Sequence, residues 1–169
     1  MFKLLRRLAV FILLLLATLL GLVPAGRGAE LAGKVVGVSD GDTLTLLTDG
    51  NIQEKIRLAK IDAPESKQSF GQRAKQALSA KVFGRPVKVV YEGRDRYGRI
   101  VGTVWCEQRE INLELVREGM AWHYRSYDQT ALYAEAEKEA RAARLGLWAD
   151  LSPVPPWEFR RQKRNAQEP

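Results

Sequence analysis

The sequence predicts a mainly β, α+β domain: a five-stranded barrel of the OB type with one inserted helix and two C-terminal helices. Three observations lead there. Five stretches rich in apolar and β-branched residues are separated by turn signals. A 3.6-residue apolar period appears between the third and fourth stretches, and helical segments follow the fifth. The chain has 169 residues, 46% hydrophobic and 28% charged, which suits one packed core. Collagen-like, low-complexity and disulfide-scaffold classes fail on composition, and no internal repeat is visible.

The elements follow in order. Strands are expected over 33–38, 43–47 and 52–61, with turns at Ser39-Asp40-Gly41 and Asp49-Gly50-Asn51. A two-residue Asp49-Gly50 turn would set Leu44 and Leu46 against Lys55 and Gln53. A three-residue loop instead pairs Leu44 with Ile56 and Thr48 with Ile52, keeping apolar side chains on one face, and is preferred. Either register puts Arg57 within one position of Asp42 across the hairpin. Phe70, Ala74, Ala77, Leu78 and Val82 then mark one helix face, which Gly84 and Pro86 end. Strands are expected over 87–91 and 100–106. Asn112 can cap a short helix running to Glu118, with Gly119 as its stop. A longer helix is expected from Thr130 to about Leu145, its Glu137 and Arg141 forming a solvated i, i+4 pair.

The ends of the chain differ in character. Lys3, Arg6 and Arg7 precede an apolar run over 8–23, the pattern of a secretory leader, with a cleavage site after Ala25. The alternative is an uncleaved anchor, for which the run is short, though not prohibitively so, against a membrane span of about 20 residues. Either reading exports the domain, expected over 26–150. Residues 151–169 form a Pro-rich tail with a basic end, expected to be extended; it reads either as a nucleic-acid-binding arm or as a disordered terminus whose Trp157 packs back on the domain.

One His and one Cys exclude a multi-histidine zinc site, a Cys cluster and an internal disulfide, so Cys106 reads as a small buried hydrophobe. His123, beside aromatics, reads as a packed or exposed side chain. Any chemistry must therefore run on carboxylates and basic groups. Three polar clusters offer them at strand ends: Asp40-Gly41-Asp42-Thr43, Arg57 through Asp62-Ala63-Pro64-Glu65, and Asp95-Arg96-Tyr97-Gly98-Arg99. The net charge of +7 is unevenly spread, and residues 55–99 carry twelve Lys or Arg against four Asp or Glu. A polyanion would dock on that segment.

Together with Leu-Gly-Leu-Trp at 145–148, these motifs resemble the staphylococcal nuclease (thermonuclease) family, over roughly residues 33–150. The resemblance implies an OB barrel and a Ca²⁺-dependent endonuclease acting on DNA or RNA, leaving 3′-phosphate and 5′-hydroxyl ends. It implies Ca²⁺ ligands at Asp42, Asp62 and the Ala63 carbonyl, and catalytic roles for Arg57, Glu65 and Arg99. Ala63 stands where the family's best-known member has Thr. Tyr97 and Tyr127 are the expected substrate contacts, although the Trp122–Tyr127 stretch departs from the family's nucleotide-contacting segment, and Asp40 is expected only to cap its turn. The donor types agree independently, because carboxylate and carbonyl oxygens suit a hard cation. A non-catalytic nucleic-acid-binding barrel is the alternative, and an anchored surface protein a third reading. The chain is expected to act as a monomer without an obligate protein partner.

Overall fold

A computed structural model describes residues 28–166. The expected leader lies outside them. Among the described residues no helix is long and apolar enough to cross a membrane.

Strands β1 (Ala29–Val38), β2 (Thr43–Leu47), β3 (Gln53–Leu58), β5 (Pro86–Arg94) and β6 (Ile100–Cys106) form the barrel, and β4 (Ile61–Asp62) lies between β3 and the first helix. The sheet order is β3-β2-β1-β5-β6, closed by a parallel pairing of β3 with β6 in which Ile56 faces Ile100. The fold is thus the closed five-stranded barrel expected. The β2–β3 hairpin adopts the three-residue register: Leu44 lies opposite Ile56, Thr43 opposite Arg57, and the Thr48 N–H donates to the Ile52 carbonyl at 2.9 Å. That register buries Leu44, Leu46, Ile56 and Leu58 in one core with Val35, Val89, Ile100 and Val104. Each such side chain contributes about 1.5–3 kcal/mol of transfer free energy. Cys106 is buried in the same core.

The expected third strand, 52–61, is broken. Ala59 and Lys60 form a turn, with Lys60 at φ 68°, and the chain re-enters as β4. β4 pairs with β8 (Trp122–His123), Ile61 opposite His123 and Asp62 opposite Trp122. This turn aims Asp62 back toward the head of β2.

Helix α1 (Gly71–Val82) buries Gly71, Ala74, Leu78 and Val82, largely the predicted face. The short strand β7 (Arg109–Glu110) precedes α2 (Ile111–Arg117), and α3 (Ala131–Ala142) packs on α2. Two expectations fail here. Asn112 caps nothing: it lies inside α2, fully buried, and its Oδ1 accepts from the Val104 N–H at 3.0 Å. Its Nδ2 donates to the Ala59 carbonyl at 2.9 Å and the Gly102 carbonyl at 3.2 Å. β6 pairs with β3 only as far as Gly102 and with β7 only from Trp105, so an amide side chain fills the gap. Glu137 is not solvated either. It is 2% exposed, and its carboxylate accepts from the His123 N–H, Arg125 and Arg141, each at 3.3 Å. The i, i+4 spacing to Arg141 was right and Arg141 stays exposed, but β8 and the loop after it cover the Glu137 carboxylate.

The tail also differs from the extended reading. Residues Pro156–Asn165 form helix α4, with Pro156 in its first turn, where its fixed φ and missing N–H are harmless. Trp157 does pack back on the domain. It stacks on Tyr124 (5.5 Å between centroids, 1° between planes) and meets Trp122 edge-on at 5.6 Å.

Candidate active site

The residues singled out in the three polar clusters converge on one cleft of about 640 Å³ beside the barrel. Asp42, Arg57, Asp62, Ala63, Glu65, Tyr97, Arg99 and Tyr127 all line it, although they are spread over 85 positions of sequence from 42 to 127. No expected site residue is left out.

Asp42 sits where β1 turns into β2. The turn is tied by the Asp42 N–H to Asp40 Oδ1 at 3.1 Å, the capping role expected of Asp40, and by the Ser39 N–H to the Thr43 carbonyl at 2.8 Å. Gly41 is required by close approach: a Cβ there would lie 2.6 Å from that of Ala74 and 2.7 Å from that of Ala63. The loop therefore presses on α1 and the segment after β4, holding Asp42 against Asp62. Asp42 Oδ2 accepts the Ala63 N–H at 2.6 Å, a role for Ala63 beyond its expected carbonyl.

Arg57 lies between the two aspartates. Its guanidinium is 3.1 Å from Asp42 Oδ2 and 2.8 Å from Asp62 Oδ1, and Nη1 also donates to the Leu58 and Ile61 carbonyls at 2.9 and 3.0 Å. Three hydrogen-bond acceptors and the ion pair with Asp42 fix one planar fork, a task for which a Lys ammonium has neither the shape nor the number of fixed donors. Asp62 is 1% exposed and Asp42 6%. Burial pushes the Asp42 carboxyl up to about 7, against the pull of Arg57, with Asp40 and Asp62 adding to the rise.

The donors at the aspartate pair are all oxygens, and the soft or imidazole donors are elsewhere: Cys106 is in the core, and His123 Nε2 is engaged with Asp128 at 2.8 Å. Among the described residues no group of three or more metal-ligating side chains is assembled. Two carboxylates and a backbone carbonyl fit a hard cation that completes its sphere with water and substrate oxygens.

Glu65 projects from the turn that follows β4. Its N–H donates to Gln68 Oε1 at 3.1 Å, and its carbonyl accepts from the Gln68 N–H at 2.8 Å. Across the cleft, Arg99 begins the approach to β6. Asp95 orients it, its Oδ2 accepting from Nε at 2.8 Å and lying 2.8 Å from Nη2, and Asp95 Oδ1 takes the backbone N–H groups of Tyr97 and Arg99. Asp95 is thus the organiser of the loop. Hydrogen bonds from Arg99 and Tyr97 outweigh its partial burial and hold its carboxyl below the ordinary range. Tyr97 is exposed beneath Arg96 and Arg99, which lie 4.9 and 5.6 Å from its ring. Tyr127 is exposed against Tyr124 at 4.7 Å.

Sequence reasoning missed a third arginine. Arg160 of α4 places Nη2 2.8 Å and Nη1 3.2 Å from the two Asp62 oxygens, and Nη1 2.7 Å from Glu65 Oε1. Burial works against its charge, yet the bonds to Asp62 and Glu65 prevail and raise its pKa. Arg164 lines the same cleft. The available signal was the spacing of Trp157, Arg160 and Arg164 at i, i+3 and i+7 on one helical face.

The sequence matches the family described as staphylococcal nuclease homologue over residues 55–150, a range that contains Arg57, Asp62, Glu65 and Arg99 but not Asp42 or α4. It is 47% identical over 131 residues to an uncharacterized endonuclease of Haemophilus influenzae, covering 78% of this chain and 74% of that one. To Protein ParB of Escherichia coli it is 44% identical over 151 residues, covering 83% and 85%. To a micrococcal nuclease of Shigella flexneri it is 44% identical over 149 residues, covering 82% and 85%.

Proposed function

The chain belongs to the staphylococcal nuclease family, and on that premise we propose that it is an exported, Ca²⁺-dependent endonuclease acting on DNA or RNA, leaving 3′-phosphate and 5′-hydroxyl ends. Relatives named as nucleases support a hydrolase acting on nucleic acids. The observation that carries the reading is the convergence of two buried aspartates, a glutamate and two arginines in one open cleft. Export rests on the basic and apolar pattern of residues 1–25.

Asp42, Asp62 and the Ala63 backbone would hold the cation. When bound, a Ca²⁺ ion supplies charge that polarises a phosphoryl oxygen and offsets the repulsion of an incoming nucleophile. Glu65 accepts a proton from the attacking water, whose oxygen bonds to phosphorus in line with the departing 5′ oxygen. The bond from phosphorus to the 5′ oxygen breaks, and that oxygen takes a proton from solvent to become the 5′-hydroxyl. Arg99, held in place by Asp95, and Arg57, held on the backbone of β3 and β4, present planar donors to the equatorial oxygens as charge builds on them. Tyr97 and Tyr127, exposed at the rim, offer flat faces for bases.

Digestion of single-stranded DNA, duplex DNA and RNA by the purified chain tests this, with Ca²⁺ titrated and then chelated. Cleavage that stops with the chelator, falls about 10²–10⁴-fold in Glu65→Gln and yields 3′-phosphate ends is expected. Cleavage that survives both changes overturns the mechanism. Cation-independent binding with no cleavage would assign the cleft to a non-catalytic module.

A further inference from the structure

We infer that Arg160 is a further substrate-binding residue: parked on Asp62 and Glu65 in the free protein, it is released to a phosphate of the bound nucleic acid, so that α4 forms one wall of the groove. The inference rests on the nucleic-acid reading above and adds to it a residue beyond the matched family range.

Its first support is position. Arg160 and Arg164 line the same cleft as Arg57 and Arg99. The helix that carries them is anchored there: Trp157 is wedged against Tyr124 and Trp122, and Gln68, from the turn that carries Glu65, donates to the Val154 carbonyl at 2.5 Å. The second support is the identity of its partners. Arg160 engages both oxygens of Asp62 and one of Glu65. In the proposed reaction Asp62 serves the cation and Glu65 serves the water, so neither can stay committed to Arg160. A divalent ion on Asp62 would moreover repel a guanidinium already seated there. The third is reach. The Arg160 side chain is 38% exposed, far more than the 14% of Arg57, so it has open space into which to turn. A guanidinium displaced from two carboxylates, beside a bound polyanion, finds its nearest matching acceptor in a phosphate.

Two consequences separate this from a purely structural ion pair. Arg160 competes with the cation in the free protein, yet it strengthens nucleic-acid binding once the cation is present. The test uses the full chain, Arg160→Ala, Arg160→Lys, and Arg161→Ala as a control on the same helix that is exposed and outside the cleft lining. Calorimetric titration with Ca²⁺ alone should show three- to tenfold tighter binding in Arg160→Ala. Binding of a hydrolysis-resistant phosphorothioate oligodeoxynucleotide in Ca²⁺, followed by fluorescence anisotropy, should weaken roughly three- to tenfold, within the usual span of site–site couplings. The slope of log affinity against log salt should fall by about 0.7, the share of one phosphate contact on a single strand. Arg160→Lys should keep the salt slope and lose part of the affinity, while Arg161→Ala should change neither Ca²⁺ affinity nor slope. Oligonucleotide affinity and slope unchanged in Arg160→Ala, or changed equally in Arg161→Ala, overturn the inference, as does an unaltered chain that does not bind the oligonucleotide. An unaltered chain that binds but does not cleave defeats the catalytic reading alone, and the binding comparison still decides the role of Arg160.

Discussion

Replacing Asn112 by Ala tests the joint that aligns the barrel with the cleft. The side chain is fully buried and makes three hydrogen bonds, to the Val104 N–H and to the Ala59 and Gly102 carbonyls. Truncation orphans the Val104 N–H, at a cost of about 2 kcal/mol for a buried donor with no replacement. The Gly102 carbonyl keeps the Ala59 N–H at 2.8 Å, so the lost donations add only about 1 kcal/mol more. A total near 3 kcal/mol is expected, or about 10 °C in melting temperature for a domain of this size. Urea titration followed by tryptophan fluorescence measures it, and hydrogen exchange at the Val104 amide reports the site directly. The denaturation midpoint should fall with little change in slope, and the Val104 amide should lose protection first. A loss below about 1 kcal/mol, with that amide still protected, would show that solvent replaces the amide and refute the reasoning.

Other outcomes follow from the same structure. Arg57→Lys should reduce cleavage at least as much as Arg99→Lys, since Arg57 is held by three hydrogen-bond acceptors and the Asp42 ion pair while Arg99 is oriented mainly by Asp95; initial rates at saturating Ca²⁺ decide it. Glu137→Ala should destabilise the chain by about 2 kcal/mol in urea, because it strips a buried acceptor from the His123 N–H and two arginines. Hydrogen bonds from Arg109 and, after the opposing effect of burial, from Lys81 hold the Glu114 carboxyl down at about 2. A carboxyl depressed in the folded state adds stability that is complete above its unfolded value near 4.5 and is lost as pH falls toward 2. The stability gap between the unaltered chain and Glu114→Gln should therefore shrink across that window. Its full size, after allowance for solvent screening of the half-exposed Arg109, is about 1 kcal/mol.

Most of the barrel was legible in the sequence, because alternation and turn chemistry are local. The Leu44–Ile56 register could be chosen from which side chains would share a face, and α1 from the spacing of Ala74, Leu78 and Val82. The candidate site residues were legible for a different reason: short motifs at strand ends resemble those of the nuclease family, and their carboxylates and guanidiniums suit phosphodiester chemistry. Charge and spacing misled where burial decided the outcome. Glu137 and Arg141 carry the spacing of a surface pair, and only β8 lying across α3 shows that the carboxylate is enclosed. Asn112 carries the chemistry of a cap, and only the gap between β3 and β7 along β6 shows what its amide satisfies.

The sequence by itself determined the barrel and its hairpin register, which follow from residue type and short-range period, and its motifs, by their resemblance to the nuclease family, pointed to the carboxylates and arginines of the candidate site. Tertiary structure alone decided that Arg57 is shared between Asp42 and Asp62, that the Asp42 carboxyl lies near neutrality, and that α4 delivers Arg160 to Asp62 and Glu65. The physical reason is distance along the chain. Asp62 and Arg160 are 98 residues apart, and their meeting depends on the β4–β8 pairing and on Trp157 finding the Tyr124 face, contacts that no local pattern encodes.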